Sequence, residues 1–132
     1  MAIRYFTEHV PEIDDIVKLY SACFLENPRP TDDIVRLSNM IQSASLLCTA
    51  YDNNTLVGMC RALSDFSYVT YISDLAVLPG YQRKNIGRNM LNIIEKNSES
   101  VEKIVLLSSQ SANSYYPHLK FKPHQRAWVK IL

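Results

Sequence analysis

Ile13, Ile16, Val17, Tyr20, Cys23 and Phe24 recur three and four residues apart and make one apolar face of a helix. Pro11 suits its first turn, and Asn27-Pro28 closes it. Ile34, Leu37, Met40 and Ile41 form a second stripe, opened by Pro30-Thr31-Asp32-Asp33 with Thr31 as N-cap and two aspartates at the positive end of the helix dipole. The period then changes. Short apolar runs over Leu46 to Tyr51 and Leu56 to Leu63 flank Asp52-Asn53-Asn54-Thr55, a hairpin whose asparagines tolerate positive φ. Tyr68 to Leu78, rich in β-branched and aromatic residues, reads as a long strand ended by Pro79-Gly80. Ile86, Met90, Leu91 and Ile94 return to helical spacing between about Asn85 and Lys96. Ile104-Val105-Leu106-Leu107 is the continuous apolar run of a strand covered on both faces. Ala2 to Thr7 is expected as a short first strand, Ala112 to Leu119 as a short helix, and Phe121 to Leu132 as one or two final strands. This irregular order predicts an α/β (α+β) fold with a mixed, mostly antiparallel sheet and helices on both faces.

Composition narrows the picture. With 132 residues, 47% of them hydrophobic, the expectation is one domain over residues 1–132 with a real core. Fourteen basic and thirteen acidic residues give a formal net charge of +1, so no global basic field invites nucleic acid or an anionic membrane. No apolar run approaches the ~18 residues of a membrane span, and Glu8 and His9 interrupt any signal-peptide pattern. Cys23, Cys48 and Cys60 are far apart among apolar neighbours, which suits buried free thiols, no metal site and a reducing, cytoplasmic compartment.

The balanced total conceals one asymmetric stretch. From Leu75 to Ile94 there is no acidic residue, while Arg83, Lys84 and Arg88 stand where a loop enters a helix. A helix N-terminus with free N–H groups and nearby cations is an anion site, and Gly87 lets a ligand approach the first turn.

Gln82-Arg83-Lys84-Asn85-Ile86-Gly87 resembles the Gln/Arg-x-x-Gly-x-Gly/Ala acetyl-CoA-binding motif of the GNAT N-acetyltransferase superfamily. Asp74-Leu75-Ala76-Val77-Leu78-Pro79 resembles the strand that precedes that motif. Leu56-Val57-Gly58-Met59 resembles the family's "LVG" strand, and Tyr115-Tyr116-Pro117-His118-Leu119-Lys120-Phe121-Lys122-Pro123 its "FYEKLGFKP" segment. The resemblance covers essentially the whole chain. It implies the GNAT acyl-CoA N-acyltransferase fold, with about six to seven strands flanked by about four helices. It also implies an enzyme that moves the acetyl group of acetyl-CoA to the primary amine of a small molecule, by direct attack in a ternary complex and without a metal. A non-catalytic acyl-CoA sensor and a protein or peptide N-acetyltransferase are the alternatives, and a homodimer through the C-terminal strands is compatible with the family.

The resemblance further implies a phosphate cradle at Gln82, Arg83, Lys84, Asn85, Ile86, Gly87 and Arg88, and a pantetheine arm along Leu75, Ala76 and Val77, admitted where the strands Tyr68 to Leu78 and Ile104 to Leu107 splay apart. Asn85 stands at the family's first glycine and Lys120 at its helix-ending glycine. Each is expected to adopt left-handed geometry at a cost of about 1 kcal/mol. Tyr116 aligns with the tyrosine that protonates the departing sulfur, with Tyr115 its neighbouring competitor. The base is not readable: Asp74, the nearest carboxylate on the central strand, is a candidate directly or through water, but a structural hydrogen bond at the strand edge is the favoured role for it, and Asp65, His118 and His124 are weaker candidates. Glu26, Arg29, Asp32 and Asp33 are expected to rim the acceptor side, with Tyr68 and Trp128 lining it.

Overall fold

The structure, a computed structural model, describes residues 2–109 and 112–132. Five strands form one sheet in the order β1 (Ile3–Phe6), β2 (Leu46–Asp52), β3 (Thr55–Ser64), β4 (Val69–Val77), β5 (Lys103–Leu106). The first four run antiparallel to their neighbours, and β5 runs parallel to β4. α1 (Ile13–Cys23) and α2 (Ile34–Gln42) bury Ile16, Leu19, Tyr20, Leu37 and Ile41 against one face of the sheet. α3 (Ile86–Asn97) buries Ile86, Met90, Leu91 and Ile94 against the other. The α/β class is the expected one; the described residues hold five strands and three α-helices, fewer than the family expectation.

Small residues set how closely α3 approaches. A Cβ added at Gly58 in β3 would lie 3.0 Å from Met90 Cε and 3.2 Å from the Ala76 carbonyl oxygen, so a larger residue would push Met90 from its seat. The hairpin turn behaves as read: Asn53 sits at φ 54°.

Three local expectations change. The N-cap of α2 is Asp33, not Thr31; its carboxylate accepts from the Arg36 backbone N–H at 3.1 Å. The helix expected over Ala112 to Leu119 shrinks to turns ending in one 3₁₀ turn, Tyr116–Leu119, because Pro117 has no N–H and disfavours helical geometry at the residue before it. The strands expected over Phe121 to Leu132 are absent. Among the described residues that segment pairs with no strand, and its apolar residues Trp128, Val129, Ile131 and Leu132 stay exposed. Apolar spacing signals a strand only where a sheet edge takes it up, and Pro123 removes a ladder donor near its start.

Lys120 closes the 3₁₀ turn in the left-handed region, at φ 68° and ψ 18°. Lys120→Gly is expected to stabilise the protein by roughly 1 kcal/mol, raising Tm by about 3–5 °C in a thermal melt.

Candidate cofactor and active site

The site is built by an irregularity in β4. Its partner β3 pairs Arg61 with Asp74 but Ala62 with Ile72, so Ser73 is an extra, bulged residue. The bulge inverts the facing of the strand. Ile72 packs into the α3-side core, whereas beyond it Leu75 and Val77 do so, and Ala76 turns to the α1–α2 side. Pairing between β4 and β5 ends at Ile72 with Leu106, immediately before the bulge. From Asp74 to Val77 the strand keeps β3 and, among the described residues, has no β5 partner, which opens a gap in the sheet. Leu78 N–H donates to the Val57 carbonyl at 2.9 Å. By the alternation of an antiparallel ladder, the backbone groups of Asp74 and Ala76 also face β3, and those of Leu75 and Val77 face the gap.

A buried charge cluster holds the bulge. The Asp74 carboxylate is fully buried; Arg29 Nε reaches Oδ1 at 2.6 Å, while Arg61 Nε at 2.5 Å and the Tyr20 hydroxyl at 2.7 Å donate to Oδ2. The same arginines fix Ser73: Arg29 donates to its carbonyl at 2.9 Å and Arg61 to its hydroxyl at 2.7 Å. Arg29 also stacks on the Phe24 ring, 4.0 Å from the centroid. Burial alone would raise the Asp74 carboxyl; the Arg61 and Arg29 guanidiniums outweigh it and hold the group below the ordinary carboxylate range.

Of the two roles open to Asp74, the geometry suits the structural one. A carboxylate with both oxygens occupied by strong donors, and with a depressed pKa, is unsuited to take a proton from an amine. It anchors α1, the α1–α2 connection and β3 to the bulge. The other expected bases lie elsewhere. Asp65 accepts from the backbone N–H groups of Ser67, Tyr68 and Val69 in the β3–β4 turn, at the far end of β4 from the gap. His124 contacts Arg126, and His118 is in the Tyr116–Leu119 turn. Tyr68 is also at the far end, under Lys103 at 4.7 Å, and Trp128 is 92% exposed. Of the expected acceptor rim, Arg29 is committed to Asp74, Asp33 caps α2 and pairs with Arg36 at 3.4 Å, and Asp32 and Glu26 are exposed in the α1–α2 connection.

The loop after β4 lies at the open end of the gap. Pro79–Tyr81 make a 3₁₀ turn, and Tyr81 donates from its hydroxyl to Asp52 at 2.6 Å, tying the loop to the β2–β3 hairpin. The Gln82 side chain donates to the Val77 carbonyl at 3.3 Å. Arg83 and Asn85 are both left-handed, at φ 64° and φ 63°. Asn85 is the N-cap of α3, and its side chain makes no cap bond. Among the described residues, the backbone N–H groups of Arg83 through Arg88 have no protein acceptor. Six such donors, with three cationic side chains and no acidic residue in the first turn of α3, fit the phosphates of a CoA-type ligand. Gly87 keeps the first turn open; a Cβ there would meet the Tyr115 hydroxyl at 2.9 Å and Val77 Cγ2 at 3.7 Å.

Tyr116 packs against the α3-side core, edge-on to Tyr115 and Phe121 with centroids 5.3 and 5.6 Å away. Burial pushes its phenol up to about 12, with Cys60 and Tyr115 adding to the effect. A separate groove of about 1000 Å³ lies between α3, β5 and residues 118–122, but it shares only Arg88 with the loop, and its lining mixes glutamates with lysines.

A sheet opened at a bulged central strand, with a loop of unpaired N–H groups and three cations at the open end, is the frame of the candidate site. The chain belongs to the acetyltransferase (GNAT) family, whose profile matches residues 13–121. It is 28% identical over 89 residues, 66% of this chain, to the uncharacterized N-acetyltransferase ycf52 of Gracilaria tenuistipitata var. liui; the chain spans about half the length of that relative, 49%. A probable acetyltransferase from meticillin-resistant Staphylococcus aureus shares the fold with a TM-score of 0.80, at 24% identity over 98% of this chain and 100% of that one. AAC(6')-Iy, solved in complex with the bisubstrate analog CoA-S-monomethyl-acetylneamine, shares it with a TM-score of 0.76, at 11% identity over 100% and 99%.

Two outcomes test this geometry. Asp74→Asn leaves two guanidiniums without their counter-charge and is expected to cost roughly 3–5 kcal/mol in urea denaturation. Because the folded pKa of Asp74 is depressed, its contribution is complete above about pH 4 and is lost as pH falls through the folded value, so the gap between wild type and variant narrows in acid. Asn85→Gly keeps the left-handed cap without a side chain, and acetyl-CoA affinity by calorimetry is expected to be equal or better.

Proposed function

We propose that this chain transfers the acetyl group of acetyl-CoA to the primary amine of a small acceptor, by direct attack in a ternary complex. The observation that carries the reading is the gap beside Leu75–Val77, which leads from a loop of free N–H donors into the sheet. The analog-bound neighbour supports it, because its ligand joins CoA to an acetylated amine.

Acetyl-CoA supplies the activated acyl thioester. In this reading the N–H groups of Arg83 through Arg88 and the side chains of Arg83, Lys84 and Arg88 bind the phosphates. The inward N–H groups of Leu75 and Val77 hold the pantetheine arm and polarise the thioester carbonyl as an oxyanion-type donor. Tyr116 stabilises the departing sulfur. With its phenol raised to about 12, full proton transfer to a thiolate of ordinary pKa is uphill by roughly 5 kcal/mol. Tyr116 therefore acts by donating a hydrogen bond to the anionic sulfur, a contact of roughly 1.5–3 kcal/mol. With Asp74 sealed, the acceptor amine loses its proton to water.

A thermal-shift titration tests the cofactor: acetyl-CoA at a hundredfold excess over its Kd stabilises the fold by about 2.7 kcal/mol, and no shift removes the reading. CoA release over a panel of small amines tests turnover, and binding without turnover on any amine favours an acyl-CoA sensor. Tyr116→Phe is expected to lower kcat by roughly ten- to a hundredfold while leaving acetyl-CoA affinity within twofold. An unchanged kcat takes Tyr116 out of the mechanism.

A further inference from the structure

The Tyr115 hydroxyl occupies a position that neither the motif nor the proposed roles assign. It reaches the first turn of α3, where it would lie 2.9 Å from a Cβ at Gly87, beside Val77 at the open end of the gap. Arg88 is close enough to favour its ionised form, although partial burial holds the phenol above its usual value, so it is protonated and a donor at neutral pH. Among the described residues no protein hydrogen bond engages the hydroxyl, and the partly exposed Tyr115 ring lies edge-on to Tyr116 with centroids 5.3 Å apart. A phenol donor that reaches the first turn of α3, beside a cation and a row of free N–H groups, is arranged to receive an anion.

We infer that Tyr115 is a cofactor-binding residue whose hydroxyl donates to the diphosphate of acetyl-CoA where it meets the pantetheine arm. The inference rests on the acetyl-CoA reading above and adds to it a side-chain donor. It divides the labour of two adjacent tyrosines: Tyr116 acts at the sulfur end and Tyr115 at the phosphate end. It also explains why position 87 is a glycine here, since an alanine methyl would displace the hydroxyl from its seat.

Calorimetry with wild type and Tyr115→Phe, using acetyl-CoA, CoA and acetyl-pantetheine (which lacks the diphosphate), tests it. Tyr115→Phe is expected to weaken acetyl-CoA and CoA roughly tenfold or more, and to leave the affinity for acetyl-pantetheine within about twofold. Gly87→Ala is expected to weaken CoA in the wild-type background and to weaken it less in the Tyr115→Phe background, where the Tyr115 donor is already lost. Equal CoA affinity in Tyr115→Phe overturns the inference, as does additivity of the two substitutions. A fall in kcat with affinity intact also overturns it and makes Tyr115 the group at the sulfur. Failure of wild type to bind any CoA species is a different result: it removes the acetyl-CoA reading itself, before any variant is compared.

Discussion

One buried carboxylate organises this molecule. Asp74 would be costly to bury alone, and the two guanidiniums and one phenol that satisfy it come from three separate parts of the chain. Their positions are therefore mutually dependent. Arg61 comes from β3, Arg29 from the α1–α2 connection and Tyr20 from α1, and both arginines continue past the carboxylate to Ser73. The electrostatic cluster thus fixes the one residue whose extra length parts β4 from β5. The opening in the sheet is a consequence of charge satisfaction on the opposite face.

That arrangement separates two tasks physically. The α1–α2 side of β4 sets the charge cluster into apolar packing, and it holds the α1–α2 connection in place through Arg29. The α3 side carries the gap, the loop and the tyrosines. A strand with a regular pleat would have presented Asp74 and Ile72 to the same face, placing the carboxylate in the apolar core of α3. The bulge lets one strand serve both environments.

The helices, the hairpin and the central strand were legible because their apolar periods are long and uninterrupted, and the loop was legible because its cations stand in an acid-free window. The role of Asp74 was legible only as a choice, since a structural hydrogen bond was favoured over a base but its partners were unknown. The signal that pointed to them lies in Arg61: a charged residue inside the apolar run Leu56 to Leu63 has to find an anion once that strand is buried. Tyr20 gave no such signal, because a tyrosine at helical spacing looks the same whether or not its hydroxyl has an acidic partner. Tyr115 was named as a neighbour of Tyr116, but only the folded chain brings it to Gly87. The C-terminal pattern was misleading for the complementary reason. Its apolar residues alternate well enough, yet no strand of the described chain accepts them.

The bulge at Ser73 has a further consequence for how this strand can vary. Residues on either side of it are read in opposite frames, one set by pairing with β5 and the other by Asp74. Exchanging a side chain within β4 perturbs one neighbourhood. Removing or adding a single residue would instead swap inside for outside along half the strand, sending Leu75 toward the arginines and the carboxylate toward Met90. The strand is thus more sensitive to its length than to its composition.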